Sequence, residues 1–306
     1  CTVALVVTTR IADWGRVPFG SRWFEVIEGR PIVEPNGLVL VTTLACVSLT
    51  PLLREVGRRV GAWTPLRDRD VHGRPVPKFG GVAMLAAVLI GLALAGTVPF
   101  FSGIFTDPAP VHGLLAALAV VLVVGAVDDL VDLPWWAKLV GQCAAALAVA
   151  LGGIRIEAMP VGWIPVGSEA MQIALTVFAV VLTMNALNFV DGLDGLAAGL
   201  GLIAGGAILV FSLTVLHDQG GAVSAYPPAI ISAALVGMCA GFLPHNFEPS
   251  RIFMGDSGSM LIGLLLAAAS TSASGKINMS LYGTVDMVAL MSPILVVIAA
   301  VFIPVL

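Results

Sequence analysis

The chain has 306 residues, 58% of them hydrophobic and 11% charged, with a mean hydropathy of +1.01 and a formal net charge of −4 at pH 7. That balance excludes an ordinary soluble domain and offers no basic surface for nucleic acid. It describes a polytopic membrane protein.

About 20 apolar residues cross the hydrocarbon core as a helix. Nine stretches qualify, at 36–53, 80–101, 112–127, 136–151, 171–188, 196–216, 228–243, 257–270 and 287–306. The 34 Gly of the chain favour close helix packing, and the alternating pattern of an outer-membrane barrel is absent. The predicted fold is an all-α, multi-pass bundle with about nine transmembrane helices. Residues 1–37 read as an N-terminal extramembrane segment with no role assigned, and 38–306 as the membrane domain. The leading segment does not read as a signal peptide, since its apolar start is short and polar residues follow at once. Because the chain opens on Cys1 and stops in apolar sequence at Leu306, both ends are expected to be truncated.

Basic residues in short loops set orientation. The connector between spans one and two carries Arg54, Arg58, Arg59, Arg67, Arg69, Arg74 and Lys78, and parity adds Lys138 and Arg251 to the same side. Only Arg155 and Lys276 fall in the opposite loops, so the first group is assigned to the cytoplasm. Arg10, Arg16, Arg22 and Arg30 of the leading segment run against this assignment.

The acidic residues obey the same parity. Asp128, Asp129 and Asp132 close the third span, Asp191 and Asp194 the fifth, and Asp256 opens the eighth. Carboxylates are costly in a bilayer, so their recurrence at one edge points to a single site on the cytoplasmic face. With Asn185, Asn188, His245 and Asn246 nearby, the chemistry indicated is that of phosphates with a divalent cation. Mg²⁺ prefers oxygen ligands and takes only one or two from protein beside substrate phosphates; Asp256 and Asn188 would suffice, with Mn²⁺ as a substitute. Lys138, nine residues beyond Asp129 and past Pro134, would neutralise phosphate charge from headgroup depth. Gly192 and Gly195 suit a tight turn that lets backbone N–H groups approach a ligand.

The runs Asn185-Ala186-Leu187-Asn188-Phe189-Val190-Asp191-Gly192-Leu193-Asp194-Gly195 and Phe253-Met254-Gly255-Asp256-Ser257-Gly258-Ser259, with the pair Asp128-Asp129, resemble the polyprenyl-phosphate N-acetylhexosamine-1-phosphate transferases. Arg69 to Gly81, containing Lys78, resembles that family's first cytoplasmic motif, and Pro244-His245-Asn246-Phe247 its actinobacterial, WecA-type branch. The resemblance implies transfer of N-acetylglucosamine 1-phosphate from UDP-N-acetylglucosamine to decaprenyl or undecaprenyl phosphate, releasing UMP and starting a cell-envelope glycan. It implies Asp256 and Asn188 on Mg²⁺, Lys138 on phosphates, and Asp128 or Asp129 on the lipid phosphate. Asp194, Asn246 and Phe253 are implied around the uridine, Asp191 in the metal or substrate shell, and Asn185, Gly192 and Lys78 in the substrate site. The implied location is the bacterial inner membrane; the sequence leaves the oligomeric state open, a homodimer being one option. Family members carry a His-rich segment that would follow span nine, beyond Leu306.

Rival readings stand beside these. A phosphate monoester has a second pKa of about 6, so a strong base is hardly needed, and one-step and aspartyl-phosphate routes both remain open. The phospho-N-acetylmuramoyl-pentapeptide transferases share the reaction with another donor. A secondary transporter would place its binding groups at the midplane, and a prenyl synthase would use Asp128, Asp129 and Asp132 alone. Asp132 is expected either to join the pair or to cap the helix starting near Trp135. Trp135 and Trp136 read as an interfacial anchor, Met254 as packing, and His245 as a helix-end hydrogen bonder as readily as a site residue. Cys46, Cys143 and Cys239 read as small apolar residues.

Overall fold

The computed structural model describes residues 26–27, 30–31, 34–63, 75–97, 107–157, 166–218, 226–275 and 292–302. A short antiparallel ribbon, β1 (Val26–Ile27) with β2 (Arg30–Pro31), precedes the helices. These are α1 (Glu34–Val60), α2 (Gly80–Thr97), α3 (Pro108–Val131), α4 (Trp135–Leu151), α5 (Glu169–Val190), α6 (Leu196–Asp218), α7 (Tyr226–Asn246), α8 (Gly255–Gly275) and α9 (Ser292–Phe302). Each of the nine predicted spans coincides with one of them. Seven are long and apolar enough to cross a membrane; α4, at 17 residues, and α9, at 11, are shorter. The expectations for Arg67 to Arg74, for Lys276 and for residues 1–25 lie outside the described residues.

Local chemistry sets the ends of the helices. Asp107 caps α3 by accepting from the Ala109 N–H, with Pro108 opening the first turn, and Ser168 caps α5 by accepting from Met171 N–H. The first helix continues past its predicted end at 53, because Glu55 pairs with Arg58 and Arg59 along the extra turns. Within the spans, the hydroxyls of Thr43, Thr50, Thr176, Thr183, Ser212 and Ser232 donate to carbonyls four residues back. Each is thereby satisfied without water.

The core is built around α8, which is almost wholly buried and packs against α2, α3, α5, α6, α7 and α9. Small residues allow the approach: a Cβ on Gly125 of α3 would overlap the Ser257 backbone of α8, and one on Gly263 of α8 would overlap Met184 of α5. The described connector residues 75–79, 132–134, 191–195 and 247–254 are tied to one another at one end of the bundle, Lys78 facing Asp132 and Phe253, and Asp194 accepting from the Ser250 amide. Lys78 pairs with Phe253 as an isolated parallel bridge, and the amides of Gly80 and Gly81 donate to the carbonyls of Phe253 and Met254.

One expectation is corrected here. Asp132 does not cap the next helix: α4 begins behind Pro134 with no side-chain cap, and Asp132 instead ends α3 in the left-handed region at φ 45°. Its amide donates to Asp128 O, and Pro134 supplies the fixed φ that starts α4.

Candidate active site at the carboxylate end

Asp128 and Asp129 occupy the last turn of α3, where both side chains are buried although flanking Val127 and Leu130 face outward. Their inward direction follows from Gly125 below them, which draws α3 onto α8. Lys138, in the first turn of α4, reaches both helices: its Nζ lies 2.7 Å from Asp128 Oδ2 and 2.6 Å from Asp256 Oδ2. One ammonium thus bridges two carboxylates from different helices. Asp128 is also held from the α3–α4 turn, its Oδ1 accepting from Leu133 N–H at 2.7 Å.

Asp129 is committed to the start of α8. Its Oδ1 accepts from the Asp256 amide at 2.9 Å and its Oδ2 from Ser257 Oγ at 2.6 Å, so the carboxylate sits on the positive end of the helix dipole. Gly255 makes this possible. Its φ of +69° is one that L-residues rarely adopt, and a Cβ there would overlap the Asp129 carboxylate.

On the other flank, Asn188 Nδ2 donates to Ser259 Oγ at 3.0 Å and stands beside the Asp256 carboxylate. Asp191 follows at the C-terminus of α5. Burial, reinforced by the carboxylates of Asp256, Asp129 and Asp194, holds the Asp191 carboxyl well above the ordinary carboxylate range. The α5–α6 turn then passes Gly192, which has open space around it, and Gly195 at φ +73°.

Three predicted residues serve the loop framework. Asn246 is 2% exposed; its Oδ1 accepts from Gly195 N–H and its Nδ2 donates to Ile252 O. Asp194 Oδ2 accepts from the Ser250 amide at 2.9 Å. Phe253 binds Pro77 O through its N–H and leaves its ring half-buried. Lys78 stands 4.0 Å from the exposed Asp132 carboxylate. His245 is a helix-end hydrogen bonder, its Nε2 3.2 Å from Val47 O. Trp135 and Trp136 are exposed beside Lys138, and Met254 is fully buried.

The structure therefore brings together Asp128, Asp129, Lys138, Asn188, Asp191 and Asp256, while Asp194, Asn246, Phe253 and Lys78 line the adjoining loops. Sequence reasoning missed Ser257, Ser259 and Gln142. The two serines were within reach, being at i+1 and i+3 from Asp256 in a helix that must bury its first turn. Among the described residues no cluster of three or more His, Cys, Asp or Glu is arranged as a metal cage. Asp256 and Asn188, side by side, carry oxygens of the hard type that Mg²⁺ prefers.

Residues 111–274 match the family described as Glycosyl transferase family 4. The decaprenyl-phosphate N-acetylglucosaminephosphotransferase of Mycobacterium tuberculosis is 45% identical over 285 residues, covering 91% of this chain and 70% of that protein. A probable undecaprenyl-phosphate N-acetylglucosaminyl 1-phosphate transferase of Bacillus subtilis is 30% identical over 267 residues, 86% and 68% of the two chains. A phospho-N-acetylmuramoyl-pentapeptide-transferase of Desulforudis audaxviator is 33% identical over 299 residues, 88% and 84% of the two chains.

Proposed function

The chain belongs to glycosyl transferase family 4, and from that premise we infer that it transfers N-acetylglucosamine 1-phosphate from UDP-N-acetylglucosamine to a polyprenyl phosphate, decaprenyl or undecaprenyl. An oxygen of the lipid phosphate attacks the sugar-bearing phosphorus, the bond to the other phosphate breaks, and UMP leaves. The lipid-linked sugar pyrophosphate that remains begins a cell-envelope glycan. The observation that carries the reading is Lys138 held between Asp128 and Asp256 at the headgroup-depth end of the bundle, where a lipid phosphate and a soluble nucleotide meet.

Asp256 and Asn188 would hold Mg²⁺, which when bound offsets phosphate charge during the transfer. Lys138, poised between two carboxylates, can turn to incoming phosphate oxygens and balance charge as the bond to UMP breaks. Asp128 and Asp129 fix Lys138 and the first turn of α8 rather than stand free as strong bases, in keeping with a nucleophile that is already largely dianionic at neutral pH. Asp194 and Phe253 lie on loops suited to the nucleotide. The Lys and Arg excess of the connectors on this side supports a cytoplasmic-facing site in a bacterial inner membrane, and the exposed apolar faces leave room for a homodimer.

The test is lipid-dependent UMP release by the full-length protein in detergent with Mg²⁺. Turnover with UDP-N-acetylglucosamine and decaprenyl phosphate is expected. Turnover only with UDP-N-acetylmuramoyl-pentapeptide would assign the other branch of the family, and none with either donor would remove the reading.

A further inference from the structure

One polar contact between α4 and α5, joining a buried Gln142 to an Asn185 that is exposed on its own helix, lies outside the carboxylate cluster. Gln142 of α4 is 4% exposed, with its helix neighbours Gly141, Ala145 and Ala146 buried around it. A carboxamide in such a place is costly unless both its donor and its acceptor are met. Asn185 of α5 meets both. Asn185 Nδ2 donates to Gln142 Oε1 at 2.7 Å, and Gln142 Nε2 donates back to Asn185 Oδ1 at 3.4 Å. The second hydrogen of Asn185 Nδ2 goes to Val181 O at 2.8 Å, which fixes the amide from its own helix. Asn185 is exposed on α5, yet both hydrogens of its Nδ2 are taken by protein acceptors and its Oδ1 faces Gln142.

The place of this pair in the two helices gives it meaning. Gln142 is four residues beyond Lys138, on the same face of α4, and Asn185 is three residues before Asn188, on the same face of α5. Lys138 reaches Asp256, and Asn188 stands beside that same carboxylate. The amide pair therefore links the two helices one turn below the point where both converge on α8. Small apolar contacts alone, such as those along the Ala-rich face of α4, allow two helices to slide or rotate by fractions of an ångström. A reciprocal carboxamide pair sets both register and rotation.

We propose that Gln142 is a positioning residue for the transfer reaction: paired with Asn185, it locks α4 against α5 and so fixes Lys138 relative to Asn188 across the reaction centre. The proposal rests on the transferase reading above. It reassigns Asn185 from a group facing substrate to a strut beneath the site.

The experiment is a cycle of Gln142→Leu, Asn185→Leu and the double variant, each assayed for kcat, KM for UDP-N-acetylglucosamine and thermal unfolding in detergent. Misplacement of a catalytic group by about 1 Å can lower a rate by up to about 100-fold, so kcat of Gln142→Leu is expected to fall about 10- to 100-fold with KM within about twofold. The double variant is expected to be no slower than the slower single one, since both remove the same link. The exchange Gln142→Asn with Asn185→Gln should recover most of the loss of either single exchange. Retention of kcat in Gln142→Leu with only a lower unfolding temperature would overturn the proposal by showing mere packing. Multiplying losses in the double variant, or a KM effect confined to Asn185→Leu, would overturn it by showing that Asn185 meets substrate independently. Should Gln142→Leu not yield monodisperse protein, Gln142→Met, unbranched and similar in length, is held to the same criteria. Absence of UMP release by the unaltered protein would sink the transferase reading itself. Additive unfolding shifts in the same cycle would then overturn the link as well.

Discussion

Each end of the bundle holds a cation paired with carboxylate, and the two pairs are built differently. At the end formed by the α4–α5 connector, Arg155 Nη1 meets Glu169 at 2.5 Å and its Nε donates to Ala150 O, while the Glu169 side chain is 70% exposed. At the other end Lys138 meets Asp128, whose side chain is 3% exposed, and Asp256, which is 29% exposed. An ion pair with one partner in water contributes roughly 0–1 kcal/mol and demands little of its surroundings. A charge withdrawn from water carries a desolvation cost that only good geometry and further hydrogen bonds offset. The carboxylate end supplies them: Leu133 N–H for Asp128, and Asp256 N–H with Ser257 Oγ for Asp129. A fold that needed only to stand in a membrane would have no use for that arrangement, and the Arg155–Glu169 end shows what such a fold settles for.

Removing one carboxylate from each pair gives the largest contrast. Asp256→Ala takes away the proposed metal ligand and one partner of Lys138 together, and lipid-dependent UMP release should fall by about 10³-fold or more. Glu169→Ala should leave turnover within about twofold, the loss expected of a solvated pair. Comparable losses from the two substitutions would erase the distinction between the ends. An active Asp256→Ala protein would remove the metal assignment.

A pair of glycines, one from each end and both in a left-handed backbone conformation, sharpens the comparison. Gly255 has φ +69° with Asp129 against it, whereas Gly153 has φ +93° and nothing within 4 Å of where a Cβ would lie. Alanine at either position carries backbone strain of about 1–2 kcal/mol. Only at Gly255 does it also displace a carboxylate from the first turn of α8. Gly153→Ala should therefore lower the unfolding temperature slightly and keep its kcat, while Gly255→Ala should lose about 10- to 100-fold in kcat. Equal kcat in the two variants would show that the Asp129 contact does not matter to turnover.

How much of this was legible in the sequence divides along the same line. The nine spans were, because the membrane imposes an apolar run of known length on every crossing helix. The gathering of Asp128, Asp191 and Asp256 at one end was also legible, because parity alone carries them there. Hydropathy stops at the end of a span, so it missed the turns of α1 beyond 53 that Glu55, Arg58 and Arg59 stabilise. Nor does spacing tell which hydroxyl meets which carboxylate: that Ser257 holds Asp129, or that Ser259 holds Asn188, depends on how three helices cross. Gln142 gave no signal beyond being a polar residue in an apolar run. Its partner is 43 residues away, and only the packing of α4 on α5 reveals it.

Asp132 is the remaining point where spacing and structure part, and it yields the smallest expected effect. With Asp128 and Asp129 it forms an Asp-Asp-x-x-Asp run, yet its backbone turns left-handed at φ 45° and its side chain is 84% exposed, 4.0 Å from Lys78. The helix ends between the second and third carboxylates, so the third is carried away from the cluster. Asp132→Asn keeps the size and the tolerance for a left-handed backbone that Asp and Asn share. It removes only a weak, screened attraction to Lys78, and turnover should stay within about twofold. Asp132→Gly should raise stability by a few tenths to about 1 kcal/mol if relief of the left-handed conformation outweighs the added freedom of the unfolded chain. A tenfold loss in Asp132→Asn would mean that the three carboxylates act as one set during turnover, with Lys78 drawn toward the phosphates through Asp132. The line between the buried cluster and its solvated margin would then have to be redrawn on the far side of the α3–α4 turn.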